Sequence, residues 1–360
     1  GNAKVDNISV RNIPVFTLEG NASIFQPPVD ASGPFGYLAE KASTNLASSS
    51  NTFTNPPWNV VNFVAVSVGG KAANNEDYAR LTCVAGNTNH AIQRTGITTT
   101  LVPSTMSIEV EYVNNQWIGL TWFDGGFRNG VAFDLLNGVV GSSLGNFSAA
   151  TIDRLRGNRY RISVTRTFAD TTTYLGICVL DSDAVFSFNT AWNATGTEAV
   201  DIGLLQLETS SYPTSYIPTT TTAVLRNADV LIAGDMVTDA AGSGYAEASS
   251  IWSTAGNTSY LLSTNSSGRV LAGNAGQADT SIIVYDGATV ATSPTGASYQ
   301  NRPAPMASTW GDNLTAYLSG VGGTSAAYSG TMGSGSLNIG QRDTLGQQWN
   351  GTIREVKIFD

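Results

Sequence analysis

Between Met106 and Tyr112 the chain reads MSIEVEY, with Met106, Ile108, Val110 and Tyr112 alternating with Ser107, Glu109 and Glu111. A period of two places every second side chain on one face of an extended strand, so this stretch has one apolar and one wet face. The pattern returns at Tyr160, Ile162 and Val164 against Arg161, Ser163 and Thr165. In YLGICVL, Tyr174 to Leu180, the apolar run is unbroken, which predicts a strand covered on both faces, and DIGLLQLE, Asp201 to Glu208, predicts another. Helical stripes are nearly absent. The best one, Ala149 to Leu155, amounts to about two turns.

After Asp229 the predicted strands shorten: SYLLSTN, RVLAGN, SIIVYDG, LTAYLSG, SLNIGQR and EVKIFD are separated by Gly, Ser, Asn and Thr. Such spacing predicts antiparallel sandwiches or jelly rolls. The Gly-rich stretch Ser319 to Ser336 contains Tyr328 and is flanked by strands, so it predicts ordered hairpin loops, and no repeat of 20–50 residues points to a propeller or solenoid. At 360 residues the chain exceeds what one core sustains, and two domains are expected. Charged residues are 12% and hydrophobic ones 41%, the opposite of a disordered composition. The expected fold is therefore all-β: two tandem antiparallel jelly-roll or β-sandwich domains joined by an ordered extended segment. Their expected limits are 21–218 and 219–360, with 1–20, where KVDNISVRNIP looks like a closing strand, as the terminal strand or exit of a preceding β-domain.

A net charge of −9 argues against nucleic acid as a partner, since binding a phosphate backbone takes clustered Lys and Arg. No run approaches the roughly 18 apolar residues of a membrane-spanning helix, so no membrane insertion is expected, and Gly1 to Gly20 does not read as a signal peptide. Two cysteines, Cys83 and Cys178, leave room for one bridge at most, and buried free thiols are the favoured reading.

The joint between the domains is expected in LETSSYPTSYIPTTTTAVLRNADVL, Leu207 to Leu231. Pro213 and Pro218 stiffen the backbone, Tyr212 and Tyr216 offer large faces for docking, and Thr219 to Thr222 favour extended structure. A mobile tether would carry Gly and Ser without aromatic anchors. The segment predicts an ordered crossover.

This segment resembles a junction of tailed-bacteriophage structural proteins, of the form QLE-x-G-x-x-PTSYIPT-x-x-x-AVTRAADVL, departing from it at Ser211 and Leu225. AEKASTNLASSSNTFTNPPWNV, GVAFDLLNGVVG and RLRGNRYRISVT resemble further strands of that family, and WNGTIREVKIF resembles the closing strand of laminin-G-like and concanavalin-A-like jelly rolls. The resemblance implies a carbohydrate-binding-module-like jelly roll followed by a laminin-G-like one. It also implies a place on the virion surface as a head fibre, decoration protein or tail fibre, made in the bacterial host cytoplasm. Implied partners are other copies of the chain in a homo-oligomer such as a trimer, other virion proteins, and bacterial surface polysaccharide. The alternative is a carbohydrate-active enzyme or its glycan-binding module.

Catalytic constellations are not legible, and no catalytic residue is assigned. Glu109 and Glu111 share a strand face, but the position where a laminarinase-type motif would carry its third carboxylate is Asn114, which cannot deliver a proton. His90 is the single histidine, with no nucleophile context around any serine. No cofactor is expected apart from calcium as a candidate on Asp181 and Asp183, hard oxygen ligands two apart. Arg154, Arg156, Arg159, Arg161 and Arg166 concentrate positive charge, for which an exposed strand face balanced by acids is the favoured reading. Sugar rings present apolar C–H faces and polar rims, so a glycan site calls for aromatic platforms beside hydrogen-bonding groups. Trp58, Trp310 and Trp349 sit where the resembled family has packing residues, which implies that they lie in the core. The candidate glycan-binding residues are Trp117, Trp122, Asp124, Phe127 and Arg128, with Trp192 between Asn189 and Asn193 as a second locus.

Overall fold

A computed structural model describes residues 17–19, 37–54, 57–61, 64–72, 75–183, 191–238, 240–250, 258–264, 268–273, 279–329, 332–333, 335–341 and 347–359. Among these every regular element is a strand, and every strand pair in the sheets is antiparallel. No helix there is long and apolar enough to cross a membrane. Contacts divide the chain into a central sandwich, built on 43–226, and a split sandwich that uses 17–19 and 37–42 together with 227–359.

In the central sandwich one sheet runs Val139–Leu144, Phe127–Asp134, Trp117–Asp124, Thr172–Leu180, His90–Thr98, Trp58–Val61. The other runs Ala149–Arg154, Arg159–Thr167, Pro103–Tyr112, Ala199–Glu208, Asp77–Cys83, Val64–Lys71. The alternation read from the sequence now has a destination. Ile118, Leu120, Trp122, Leu175, Ile177 and Val179 from the first sheet meet Met106, Ile108, Val110, Ile162 and Val164 from the second in one buried core. Phe53 and Trp58 close it, their ring centroids 5.1 Å apart. Cys178 and Leu180, one residue out of phase, belong to a small cluster with Ala91, Ala132 and Trp117, so Thr172–Leu180 is covered on both faces as its continuous apolar run requires. Cys83 and Cys178 are free and buried, and burial pushes both thiols up to about 12, far from the reactive thiolate form.

Ala149–Arg154 is a strand and corrects the helical reading of that stretch. It pairs residue by residue with Arg159–Thr167 through a turn in which Gly157 has φ +62°. Two isolated turns of helix make too few hydrogen bonds to offset their nucleation cost, and the neighbouring strand offers a full ladder.

The segment Ser210 to Thr220 is ordered, and it belongs to the central sandwich, where it lies over polar residues of the second sheet. Glu208, fully buried, accepts hydrogen bonds from Ser43 Oγ at 2.5 Å, Thr214 N at 2.9 Å and Thr214 Oγ1. Gln206 takes the N–H of Ile217 at 2.6 Å and donates to the carbonyl of Thr214, while Asn45 donates to the carbonyls of Leu205 and Ile217. Tyr216 and Ser50 hydroxyls lie 2.6 Å apart, and Thr219 bonds Ser50 and Ala47. Side-chain amides and a carboxylate thus satisfy the backbone of a segment that has no ladder of its own. Ser43–Asn45 pairs with Val224–Arg226, so the two chain passages into this sandwich are adjacent strands.

The split sandwich has one sheet of order Thr17–Glu19, Val230–Val237, Gly335–Ile339, Tyr260–Ser263, Arg269–Gly273, Ile282–Tyr285, Val290–Thr292. The other is Tyr37–Ala39, Gly351–Phe359, Gly242–Ser250, Ala304–Trp310, Asn313–Leu318, Val321–Gly322. Trp310 and Trp349 are core residues as expected, the latter stacked on Tyr299 at 5.5 Å. Tyr328 packs on the same core, and Ala326–Ala327 pairs with Asn313–Leu318 in the Gly-rich stretch. The division differs from the expected limits for a topological reason: Thr17–Glu19 pairs with Val230–Val237 and Tyr37–Ala39 with Gly351–Phe359, so the chain contributes two strands to the split sandwich before it builds the central one. The strand of residues 17–19 is an edge of this sheet; the rest of 1–20 lies outside the described residues.

Candidate functional site

Consecutive residues of a strand point to opposite faces, and that rule reorders the aromatic cluster around Trp122. Ile118, Leu120 and Trp122 face inward, and Trp122 is 2% exposed. Its neighbour Phe123 faces out. Phe123 lies opposite Tyr174 on one side and Arg128 on the other. The Phe123 and Tyr174 rings are stacked, centroids 5.8 Å apart and planes 28° apart, and they are 36% and 42% exposed. The Arg128 guanidinium stands 6.0 Å from the Phe123 centroid. Gln93, from His90–Thr98, completes a shallow depression of about 170 Å³ with these three residues. Drug-sized pockets run to roughly 300–1,000 Å³, so this is an open platform that suits the face of a single ring.

Other expected site residues are structural. Asp124 is 2% exposed and pairs with Arg166 Nη2 while accepting the N–H groups of Ala169 at 2.9 Å and Asp170 at 2.7 Å. Arg166 is itself buried, its guanidinium 5.2 Å from the ring centroids of Trp122 and of Phe168, and burial lowers its pKa. This assembly fastens two neighbouring turns, and it removes Trp122 and Asp124 from the ligand surface. Trp117 is half-buried on Ala91, Ala132, Cys178 and Leu180. Trp192 is held by its Nε1–H on the Val179 carbonyl at 3.1 Å and by an edge contact with buried His90 at 4.8 Å, which makes it a packing residue rather than a platform. Phe127 pairs with Asp124 at the start of its strand; its side chain and Asn189 lie outside the described residues. Arg128 is the one candidate that the platform retains with a described side chain.

Asp183 Oδ1 caps the N–H of Ser142 at 2.5 Å and Asp181 accepts from Ser182 Oγ at 3.0 Å. Among the described residues no group of three or more His, Cys, Asp or Glu could hold a metal ion. Glu109 accepts from Tyr78 Oη at 2.6 Å, Glu111 lies 4.0 Å from Arg159 Nε, and Asn114 serves the backbone of Thr197 and Ala199. The arginine concentration disperses: Arg154 bonds the Gly157 carbonyl, Arg159 that of Lys71, Arg161 that of Thr214, and Arg166 turns inward to Asp124.

Sequence reasoning missed Phe123, Tyr174 and Gln93. A signal existed: once Ile118 and Leu120 are assigned to the core, period two assigns Trp122 with them and leaves Phe123 outside, and the same step from Leu175, Ile177 and Val179 puts Tyr174 outside.

No family model matches the chain, and no curated protein matches it. Among solved structures, the mouse laminin alpha1 chain, domains LG4-5, is similar over 94% of this chain and 93% of that one, at 9% identity and a TM-score of 0.26.

Proposed function

We propose that this chain is a non-catalytic adhesion and structural component of a bacteriophage virion, a head fibre, decoration protein or tail fibre, that contacts host surface glycans through the central sandwich. The observation that supports glycan contact is the exposed Phe123–Tyr174 stack with Arg128 and Gln93 at its edge. Exposed, preordered rings supply C–H/π contact at little entropic cost, and the arginine and amide donate to hydroxyls at the rim of a sugar. The phage setting rests on the resemblance of Leu207–Leu231 and its flanking strands.

A glycan array probed with the full chain tests the reading. Retention on bacterial surface polysaccharides is expected, with Tyr174→Ala reducing it at least tenfold, because an exposed ring can be removed without opening the core. Equal retention by wild type and Tyr174→Ala, at unchanged melting temperature, would refute the platform.

A further inference from the structure

The chain carries a net negative charge; several of its half-buried and buried arginines meet a carboxylate, and Arg94 and Arg161 bond neutral oxygens of Ser48, Ser107 and Thr214. Arg80 pairs with Asp201 at 2.7 Å, Arg159 with Glu111, Arg166 with Asp124 and Arg354 with Glu247 at 3.5 Å. Arg269 of the split sandwich is arranged differently. It opens the strand Arg269–Gly273 beside Tyr260–Ser263 and Ile282–Tyr285, and its Cζ lies 5.1 Å from the Tyr260 centroid and 4.6 Å from the Tyr285 centroid. Tyr260 is 2% exposed, and Tyr285 is fixed through its hydroxyl, which donates to the Gly287 carbonyl at 2.5 Å. Neither ring can easily move away. Among the described residues no carboxylate or other acceptor takes a hydrogen bond or ion pair from Arg269.

Both rings hold the guanidinium carbon over their faces, and the N–H groups lie along the guanidinium's edge. That edge matches the two oxygens of a carboxylate in the bidentate geometry that gives arginine its selectivity. A free arginine side chain loses rotamer freedom when it binds, and here the rings restrict it before any ligand arrives. We propose that Arg269, held by Tyr260 and Tyr285, is a binding site for a small carboxylate ligand, separate from the Phe123–Tyr174 platform and independent of it.

The test is a titration of the full chain, labelled with ¹⁵N-arginine, with acetate, inorganic phosphate and chloride at constant ionic strength, following arginine Nε–H signals. The Arg269 signal is identified by its loss in Arg269→Lys and by the upfield displacement that two flanking rings impose. Acetate is expected to move it saturably, phosphate more weakly, and chloride not at all. Tyr285→Leu, which keeps the charge and removes one face, should weaken acetate binding at least tenfold. A response common to all three anions would reduce Arg269 to a general cation and overturn the proposal, as would acetate binding unchanged in Tyr285→Leu or an Arg269 signal that acetate leaves in place. The wild-type comparison of anions holds even if a variant does not fold.

Discussion

Tyr78 and Gly203 show how closely single atoms are fitted in the second sheet of the central sandwich. A Cβ on Gly203 would stand 2.3 Å from Tyr78 Cδ1, next to a bulge where Leu204 has φ +53° and its N–H is taken by Asn51 Oδ1 at 3.0 Å. Tyr78 cannot yield, because its hydroxyl is committed to Glu109. Gly203→Ala is therefore expected to cost about 1–3 kcal/mol, the range of overpacked sites, read as a lowered urea midpoint at unchanged slope. Glu198 presents a pH-dependent case. Burial alone would raise its pKa, but N–H groups of Thr195 and Gly196 and the Thr195 hydroxyl donate to the carboxylate and bring it down to about 2. A depressed pKa means a contribution fully present above the unfolded value near 4.3 and lost as pH falls through 2. The melting-temperature deficit of Glu198→Gln should accordingly be largest at neutral pH and shrink between pH 4.5 and pH 2, and a deficit constant across that interval would contradict the assignment. The family resemblance put Trp58, Trp310 and Trp349 in the cores, where they are, whereas the reading of Trp122 from its neighbours in sequence failed. An aromatic beside Asp, Gly and Arg looks like a sugar platform in one dimension; only the phase of the strand shows that it faces the other way.

At the scale of elements, the strands were legible because alternation is written along them, whereas the cover over the second sheet was legible only in part. Prolines and tyrosines announced that Ser210 to Thr220 is fixed, but its anchor, Glu208, sits in a run that reads simply as strand, and its partner Ser43 is 165 residues away. No local signal encodes a contact of that separation. Glu208→Ala would leave the N–H and hydroxyl of Thr214 and the hydroxyl of Ser43 in a buried place without an acceptor. A lost buried acceptor of charge-assisted bonds costs about 3 kcal/mol, and Glu208→Gln, which keeps one carbonyl acceptor, should recover part of it. Limited proteolysis discriminates the mechanism: cleavage within 210–220 should accelerate in Glu208→Ala while cleavage in the split sandwich stays at its wild-type rate.

At the scale of the whole molecule, the order of sandwiches along the chain is an insertion: strands at 17–19 and 37–39, then 43–226, then the remaining strands of the split sandwich. An inserted domain has to leave close to where it entered, and the register Ser43 with Arg226, Thr44 with Leu225 and Asn45 with Val224 supplies that condition within the central sandwich itself. Its core, its Glu208 network and its closing ladder all lie between 43 and 226. That span, expressed alone, is expected to fold with a single cooperative transition and retain the Phe123–Tyr174 platform. The complementary cut is not symmetrical. A chain of 227–360 lacks Tyr37–Ala39, whose removal uncovers Gly351, Thr352 and Ile353 on the outer side of Gly351–Phe359, and lacks the hydrogen bond from the Glu40 N–H to Asp229 Oδ2 at 2.9 Å. With those three uncovered, the strand presents its whole length of nine residues as an open edge, which invites pairing with other chains. The fragment should aggregate or melt at lower temperature than the same span with residues 32–42 fused through a short linker, as sedimentation and calorimetry would show. Equal stability of the two would mean that the first strands are ornament to the split sandwich rather than part of it.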